Sequence, residues 1–250
     1  MIFRSANQQG RIMNKEGYIV QIFQKNGLDI NETQAELLYR YYTMLVEKNK
    51  VMNLTAITEF EDVVIKHFVD SAILNKVADL SGKKIIDVGT GAGFPGIPLR
   101  IINPDVELTL VDSLNKRVLF LREVINELGL TNTVAIHSRA EDLARDTEHR
   151  EQYDTAVSRA VSNLATLVEY TLPFVKIGGA MYAYKGAKAD EELLGSENAI
   201  KILGGKTIES HSVNIADTDY ERKVIEIRKE SHTVSKYPRS GNKPLNNPLT

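Results

Sequence analysis

The chain of 250 residues contains no cysteine. That absence excludes disulfides, thiolate zinc sites and cysteine nucleophiles, and it fits a reducing compartment. No apolar run approaches the ~18–20 residues that a membrane span requires. The N-terminus also lacks a signal-peptide core, so a cytoplasmic protein with no membrane partner is expected. The five histidines, at positions 67, 137, 149, 211 and 232, show no metal-ligand spacing, and no metal site is expected. A phosphate-binding loop and a serine-histidine-aspartate order are missing as well.

Charge of one sign is also lacking: the net charge is −2, which by itself gives no sign of a nucleic-acid partner. Its distribution is uneven. From Glu221 to Thr250, seven Lys and Arg stand against three Glu, a local balance of +4 on a segment that ends in a Pro- and Asn-rich tail. Such a segment fits either a local anionic partner or a solvated, frayed terminus. With 42% hydrophobic and 26% charged residues, the length supports one sizeable α/β domain and a smaller appendage.

What is present centres on Asp87-Val-Gly-Thr-Gly-Ala-Gly-Phe94, directly after the strand-like run Lys83-Lys84-Ile85-Ile86. Gly89, Gly91 and Gly93 at alternate positions let the backbone turn tightly and approach a ligand with no side chain between. Two cofactor templates fit. Gly91-Ala-Gly93-Phe-Pro-Gly96 matches the dinucleotide pattern, with Asp112 at about the right distance. A pyrophosphate-binding turn, however, favours an apolar residue where this chain has Asp87. A carboxylate there prefers a cationic or amine-bearing ligand such as S-adenosylmethionine, and Asp87 and Asp112 can serve different parts of it. The alternative is that Asp87 merely caps the turn.

Upstream, residues 14–80 read as helical. Asn31-Glu-Thr-Gln34 and Thr58-Glu-Phe-Glu61 each resemble a capping box ahead of apolar residues at helical spacing. Downstream, short β-rich runs at 85–88, 107–111, 133–137, 153–157 and 180–184 alternate with helical segments, which predicts a parallel, doubly wound sheet. Runs at 208–215 and 223–227 are too close for a helical crossover and predict an antiparallel terminal hairpin. Seven strands in this pattern point to a methyltransferase sheet rather than to the six-strand dinucleotide order.

Ligands of such sheets gather at the carboxyl ends of the strands. Those positions hold Asp112, the segment Ser138-Arg139-Ala140-Glu141, Ser158-Arg159 and Lys185-Gly186. Asp112 suits ribose hydroxyls, Ala140 an adenine face, and Arg159 with Lys185 a phosphate or an electron-rich base. A lone helical histidine such as His67 is expected to pack or cap rather than catalyse. No Asn-Pro-Pro-Tyr-like element follows the fourth strand run. A ring nitrogen with a free lone pair needs no such acceptors and no general base, whereas an exocyclic amine does.

Together these motifs resemble the bacterial ribosomal RNA small subunit methyltransferase G family, also called glucose-inhibited division protein B. The resemblance runs from Asn53-Leu-Thr55 through His67-Phe-Val-Asp-Ser71, Asp87 to Pro98, Asp112 to Arg117, Ser138 to Glu141, Ser158-Arg-Ala160 and Lys185 to Tyr237-Pro-Arg239. It implies a class I S-adenosylmethionine-dependent methyltransferase: an α/β, Rossmann-like fold with a seven-stranded, mostly parallel sheet and an antiparallel terminal hairpin. It implies methyl transfer to N7 of one guanine in the decoding-region loop of 16S ribosomal RNA; the expected partner is 16S ribosomal RNA or the small ribosomal subunit, and a monomer is expected. By motif, Gly89, Phe94, Ala140, Glu141 and Arg159 join Asp87, Gly91, Gly93 and Asp112 on the cofactor side. Asn53, Arg139, Arg159, Lys185 and Arg222 form the substrate side. The tail departs from the family order after Tyr-Pro-Arg. The expected division is a disordered 1–12, a helical extension 13–80, a methyltransferase domain 81–232 and a basic, flexible tail 233–250. An NAD-dependent oxidoreductase and a non-catalytic ribosome assembly factor are the alternatives.

Overall fold

Along β1 (Lys84–Val88) successive side chains enter opposite cores, Ile85 one and Ile86 and Val88 the other, because side chains alternate across a strand. In the computed structural model, residues 14–159, 162–219 and 221–249 are described; the disorder expected for Met1 to Ile12, and Ala160 of the Ser-Arg-Ala element, lie outside them.

β1 sits inside a seven-stranded sheet of order β3-β2-β1-β4-β5-β7-β6. Its companions are β2 (Glu107–Asp112), β3 (Thr133–His137), β4 (Tyr153–Arg159), β5 (Val175–Lys185), β6 (Gly205–Asn214) and β7 (Glu221–Lys229). The first five strands are parallel, and β7 runs antiparallel between β5 and β6, as the short connection requires. β5 begins earlier than its apolar run suggests, because Gly178 and Gly179 carry no hydrophobic signal. A Cβ on Gly179 would come within 2.5 Å of the Asp154 carbonyl, so a glycine lets the two strands approach.

One face is covered by α1 (Lys15–Lys25), α2 (Glu32–Met52), α5 (Gly96–Ile102) and α6 (Asn115–Glu127). The expected box at Asn31 forms: Asn31 Oδ1 accepts from Gln34 N, and the Gln34 side chain accepts from Asn31 N, both at 2.9 Å. The box expected at Thr58 does not form. The helix begins at Phe60 with Glu59 as an uncapping N-cap, while the Thr58 carbonyl accepts from the Tyr42 hydroxyl at 3.2 Å. This third run is itself irregular: α3 (Phe60–Val63) widens into a π-helical turn at Val64–Val69, then continues through α4 (Asp70–Ala72) and a 3-10 turn at Ile73–Lys76. Such a widened turn redirects side chains, here His67 and Asp70, toward the end of β4.

The opposite face carries α7 (Ala140–Leu143), α8 (Leu164–Thr171), α9 (Ala189–Leu194) and α10 (Glu197–Ile202). It also carries the segment expected to be a flexible tail. Residues 233–249 pack instead as a strap that ends in α11 (Lys243–Asn246). Arg150 donates to the carbonyls of Thr233 at 2.6 Å and Tyr237 at 2.9 Å, and Thr166 Oγ1 donates to the Pro244 carbonyl at 2.9 Å. Arg239 forms a fork with the wholly buried Glu169, Nη2 to Oε2 at 2.7 Å and Nε to Oε1 at 3.0 Å. Two basic residues of the 221–250 segment are thereby explained: Arg239 is spent on this carboxylate, and Lys229, at the end of β7, is buried against the Leu172 carbonyl and Thr233. Among the described residues no helix is long and apolar enough to cross a membrane.

Candidate active site

The glycine loop after β1 consumes its own hydrogen-bond donors. Gly89 N and Thr90 N donate to the Val111 carbonyl, Gly93 N and Phe94 N to the Thr90 carbonyl, and Ile97 N to the Gly93 carbonyl. Gly91 N donates to Asp112 Oδ2 at 3.0 Å, and Gly96 N to Asp87 Oδ2 at 2.8 Å. A dinucleotide loop holds a pyrophosphate with such N–H groups. Here carboxylates already occupy two of them, so the loop is a poor cradle for a pyrophosphate.

Asp87 stands corrected in its placement. It was expected to face the ligand, but it is wholly buried beneath the loop, where Oδ2 also accepts from Thr90 Oγ1 at 2.6 Å. It therefore caps the loop and the start of α5, while its Oδ1 has no hydrogen-bond partner. Burial pushes its carboxyl up to about 7, against the pull of Thr90, Gly96 and the Arg159 guanidinium. Gly93 has φ +111°, and a Cβ there would meet the Tyr41 hydroxyl oxygen at 2.6 Å. That hydroxyl donates to the Ala92 carbonyl, so α2 pins the loop from behind.

Beside the loop lies a cavity of about 150 Å³ lined by Gly89, Asp112, Arg139, Ala140, Glu141 and Tyr170 among others. Val88, Val111 and Ala140 supply apolar surface, while Asp112 and Glu141, each 3% exposed, supply carboxylates. Asp112 Oδ1 accepts from Leu114 N at 2.8 Å, which fixes its direction at the β2 end. Arg139, expected on the substrate side, lines this cavity instead. It grips Glu141 Oε1 through Nε at 2.5 Å and reaches Asn242 of the strap through Nη2 at 2.7 Å. The cause is local: Arg139 is the N-cap residue of α7, so its side chain lies alongside Glu141 in the first turn.

Phe94, expected on the cofactor side, lines neither this cavity nor the larger cleft that holds Arg159. It packs on Tyr41 and Phe68, stacks on His67 with ring centroids 4.4 Å apart, and carries the Arg159 guanidinium 5.1 Å from its centroid. His67 also meets Thr55 Oγ1 through Nε2 at 2.9 Å, and burial with the nearby Arg159 charge lowers it to about 3. It is a neutral packing residue.

The larger cleft, of about 690 Å³, is lined by Arg159, Lys185 and Arg222 together with Lys66, His67, Tyr184 and Glu192 among others. Three expected substrate-side cations are thus brought together. Asn53 is not among them: it is the left-handed C-cap of α2, with φ 49°, and it lies outside both cavity linings. Asp70 and Glu192 were not singled out from sequence. Asp70 had one available signal, its place inside His67-Phe-Val-Asp-Ser71; a lone glutamate in the acidic run of α9 had none.

The geometry can now be set beside known proteins. A family model described as rRNA small subunit methyltransferase G matches residues 34–224. The chain is 49% identical, over 95% of its length and 98% of the relative's, to Ribosomal RNA small subunit methyltransferase G of Lachnoclostridium phytofermentans. It is 50% identical, over 89% and 95% respectively, to the protein of that name from Alkaliphilus oremlandii. Among solved structures, a SAM dependent methyltransferase from Aquifex aeolicus aligns with a TM-score of 0.51 at 17% identity, covering 66% of this chain and 92% of that one. The [4+2]-cyclase SpnF aligns with a TM-score of 0.54 at 14% identity, covering 79% and 96%. At such identities the structural likeness speaks for the Rossmann-like fold alone. The extent and identity of the sequence match speak for descent: the chain belongs to the rRNA small subunit methyltransferase G family.

Proposed function

We propose that this chain transfers a methyl group from S-adenosylmethionine to N7 of a guanine in 16S ribosomal RNA, acting as a cytoplasmic monomer on the small ribosomal subunit. The observation that carries the cofactor reading is the acceptor set of the smaller cavity, two carboxylates beside a loop whose Gly91 and Gly96 amides are already bonded. That chemistry fits hydroxyls, an amine and a sulfonium, and it disfavours the pyrophosphate of NAD. When bound, S-adenosylmethionine supplies a methyl group on positively charged sulfur.

The chain's own residues then divide the work. Asp112 and Glu141 accept from ligand hydroxyls and amines, Ala140 and Val111 flank the heterocycle, and Gly89 permits close backbone approach. Gly91 delivers its N–H to Asp112 and so holds that carboxylate in place. Asp87 and Gly93 keep the loop in shape from behind, and Phe94 supports the Arg159 guanidinium that lines the cationic cleft. In that cleft Arg159, Lys185 and Arg222 place the guanine and its phosphate. N7 attacks with its own lone pair, so no residue need remove a proton, and positioning supplies most of the acceleration. The neutral His67 fits this scheme, since no acid or base is required of it.

The test is transfer of labelled methyl to unmethylated small subunits and to naked 16S RNA, followed by nucleoside analysis. Labelled 7-methylguanosine is expected. Binding without incorporated label would favour an assembly factor, and tight NAD binding with no response to S-adenosylmethionine would overturn the cofactor reading. Lys185→Ala and Arg159→Ala are expected to depress transfer while leaving the far-ultraviolet dichroism unchanged.

A further inference from the structure

Within the cationic cleft, Lys185 and Glu192 form a pair that is incompletely used. Lys185 Nζ donates to the Ser162 carbonyl at 2.6 Å and to Glu192 Oε2 at 2.8 Å, which leaves the third ammonium N–H for a ligand. Glu192 Oε2 also accepts from Leu164 N at 2.8 Å, so this carboxylate is anchored to the first turn of α8. Its Oε1 accepts from none of the described residues, and its side chain, 28% exposed, lines the cleft. Glu192 is the one carboxylate among the described lining residues of a cleft otherwise rich in cations.

We infer that the Lys185–Glu192 pair reads the Watson–Crick edge of the base and makes the enzyme specific for guanine, a reading that rests on the proposed N7 reaction. A guanine in a single-stranded loop has an unpaired Watson–Crick edge, which is open to the pocket while N7 faces the methyl group. Guanine presents an acceptor, O6, next to a donor, N1–H. Lys185 and Glu192 present the complement, a donor in the third ammonium N–H and an acceptor in Glu192 Oε1, on side chains joined at 2.8 Å between Nζ and Oε2. Adenine presents the reverse, a donor at N6 next to an acceptor at N1, and would set like against like at both positions. Charge on both protein groups strengthens the match and sharpens the rejection, because a mismatched base would set its own donor against the third ammonium N–H and its own acceptor against Glu192 Oε1. Glu192 lines the cleft, and after Oε2 has neutralised Lys185 its Oε1, which takes no donor from the described residues, remains available to a ligand.

The test uses small subunits assembled from 16S RNA that carries guanine, inosine or 2-aminopurine at the methylated position. Inosine keeps O6, N1–H and N7 and lacks the amino group; 2-aminopurine keeps N7 and the amino group but has no O6 and an acceptor at N1. The wild type is expected to favour guanine and inosine over 2-aminopurine by about 10- to 100-fold in kcat/KM. Glu192→Gln preserves an acceptor for Leu164 N and is expected to bring that ratio down toward the intrinsic difference in N7 reactivity. Equal slowing of all three substrates in Glu192→Gln would show a merely structural role and overturn the inference, as would a wild type that accepts 2-aminopurine as readily as guanine. The wild-type comparison needs no variant, so it stands even if Glu192→Gln folds poorly. A wild type that yields no 7-methylguanosine overturns the reaction itself, and that result differs from one that makes the product without discriminating.

Discussion

Arg159 and Asp70 meet at 2.6 Å between Nη1 and Oδ2, and Asp70 is wholly buried. The other oxygen of the same carboxylate accepts from Arg222 Nε, also at 2.6 Å, so one aspartate orients two guanidinium groups of the cleft. Asp70→Asn keeps the volume and removes the charge. Loss of one partner from a buried ion network costs roughly 3–5 kcal/mol, and a displaced guanidinium slows a reaction that depends on positioning. The variant is expected to unfold at lower urea concentration and to lose about tenfold or more in methyl transfer. Unchanged single-turnover rates would mean that Arg159 and Arg222 hold their places without it.

Asp87 gives the stability a pH dependence of unusual sign for a carboxylate. Its folded-state pKa is raised to about 7 by burial, with Arg159 and Asp112 as its charged neighbours, whereas in the unfolded chain it titrates near ~3.9. Below the unfolded value the protonated group carries no penalty; as pH rises toward 7 the unfolded state ionises first and gains relative to the folded state. The stability that the wild type holds relative to Asp87→Asn is therefore expected to fall between about pH 4 and 7 and to level off above. Urea midpoints across that range decide it, and parallel curves for the two proteins would show that Asp87 does not titrate in this window.

Gly93 is backed by Tyr41 and Ile97, with ideal Cβ contacts of 2.6 and 2.7 Å, and its φ of +111° is strained for any other residue. Gly93→Ala must displace the Tyr41 hydroxyl that holds the Ala92 carbonyl. A loss of about 2–4 kcal/mol is expected, together with weaker binding of S-adenosylmethionine in calorimetry. Wild-type affinity in this variant would show that the loop shape matters less than its hydrogen-bond pattern implies.

Arg239 ties the C-terminal strap to the buried Glu169. Arg239→Ala leaves that carboxylate without its charged partner, at a cost of about 3 kcal/mol, and the melting temperature is expected to drop by roughly 5–10 °C. If instead the melting temperature is unchanged while RNA affinity collapses, the arginine serves the substrate rather than the fold.

His67, lowered to about 3 by burial and by Arg159, stays neutral across the working range. Methyl transfer is expected to show no ionisation near ~6.5 that disappears in His67→Asn. An acidic limb at that pH, lost in the variant, would return His67 to the list of catalytic groups.

The architecture was largely legible in the residues because it rests on local patterns. Short β-rich runs marked all seven strands, and the short step between the last two fixed their antiparallel sense by chain length alone. The glycine loop, its flanking acids and the strand-end cations were equally visible, since ligands of a doubly wound sheet gather at known ends of its strands. Misread features had local patterns that the folded chain did not follow. The Thr58 box satisfied the capping spacing, yet the helix starts one residue later than that spacing requires, at Phe60 with Glu59 as N-cap. A basic tail looked solvated because its partners, Glu169 and the carbonyls that Arg150 binds, are distant in sequence.

By itself the sequence determined the fold class, the family and the choice of residue types at the site, because periodicity, turn chemistry and motif spacing act over a few residues at a time. Tertiary structure alone decided what each charge does. Packing buried Asp87 behind the loop, placed Arg139 in the lining of the smaller cavity, joined Arg159 and Arg222 through Asp70, and set Glu192 against Lys185. A carboxylate's role depends on which donors surround it and how much water remains, and neither is written along the chain.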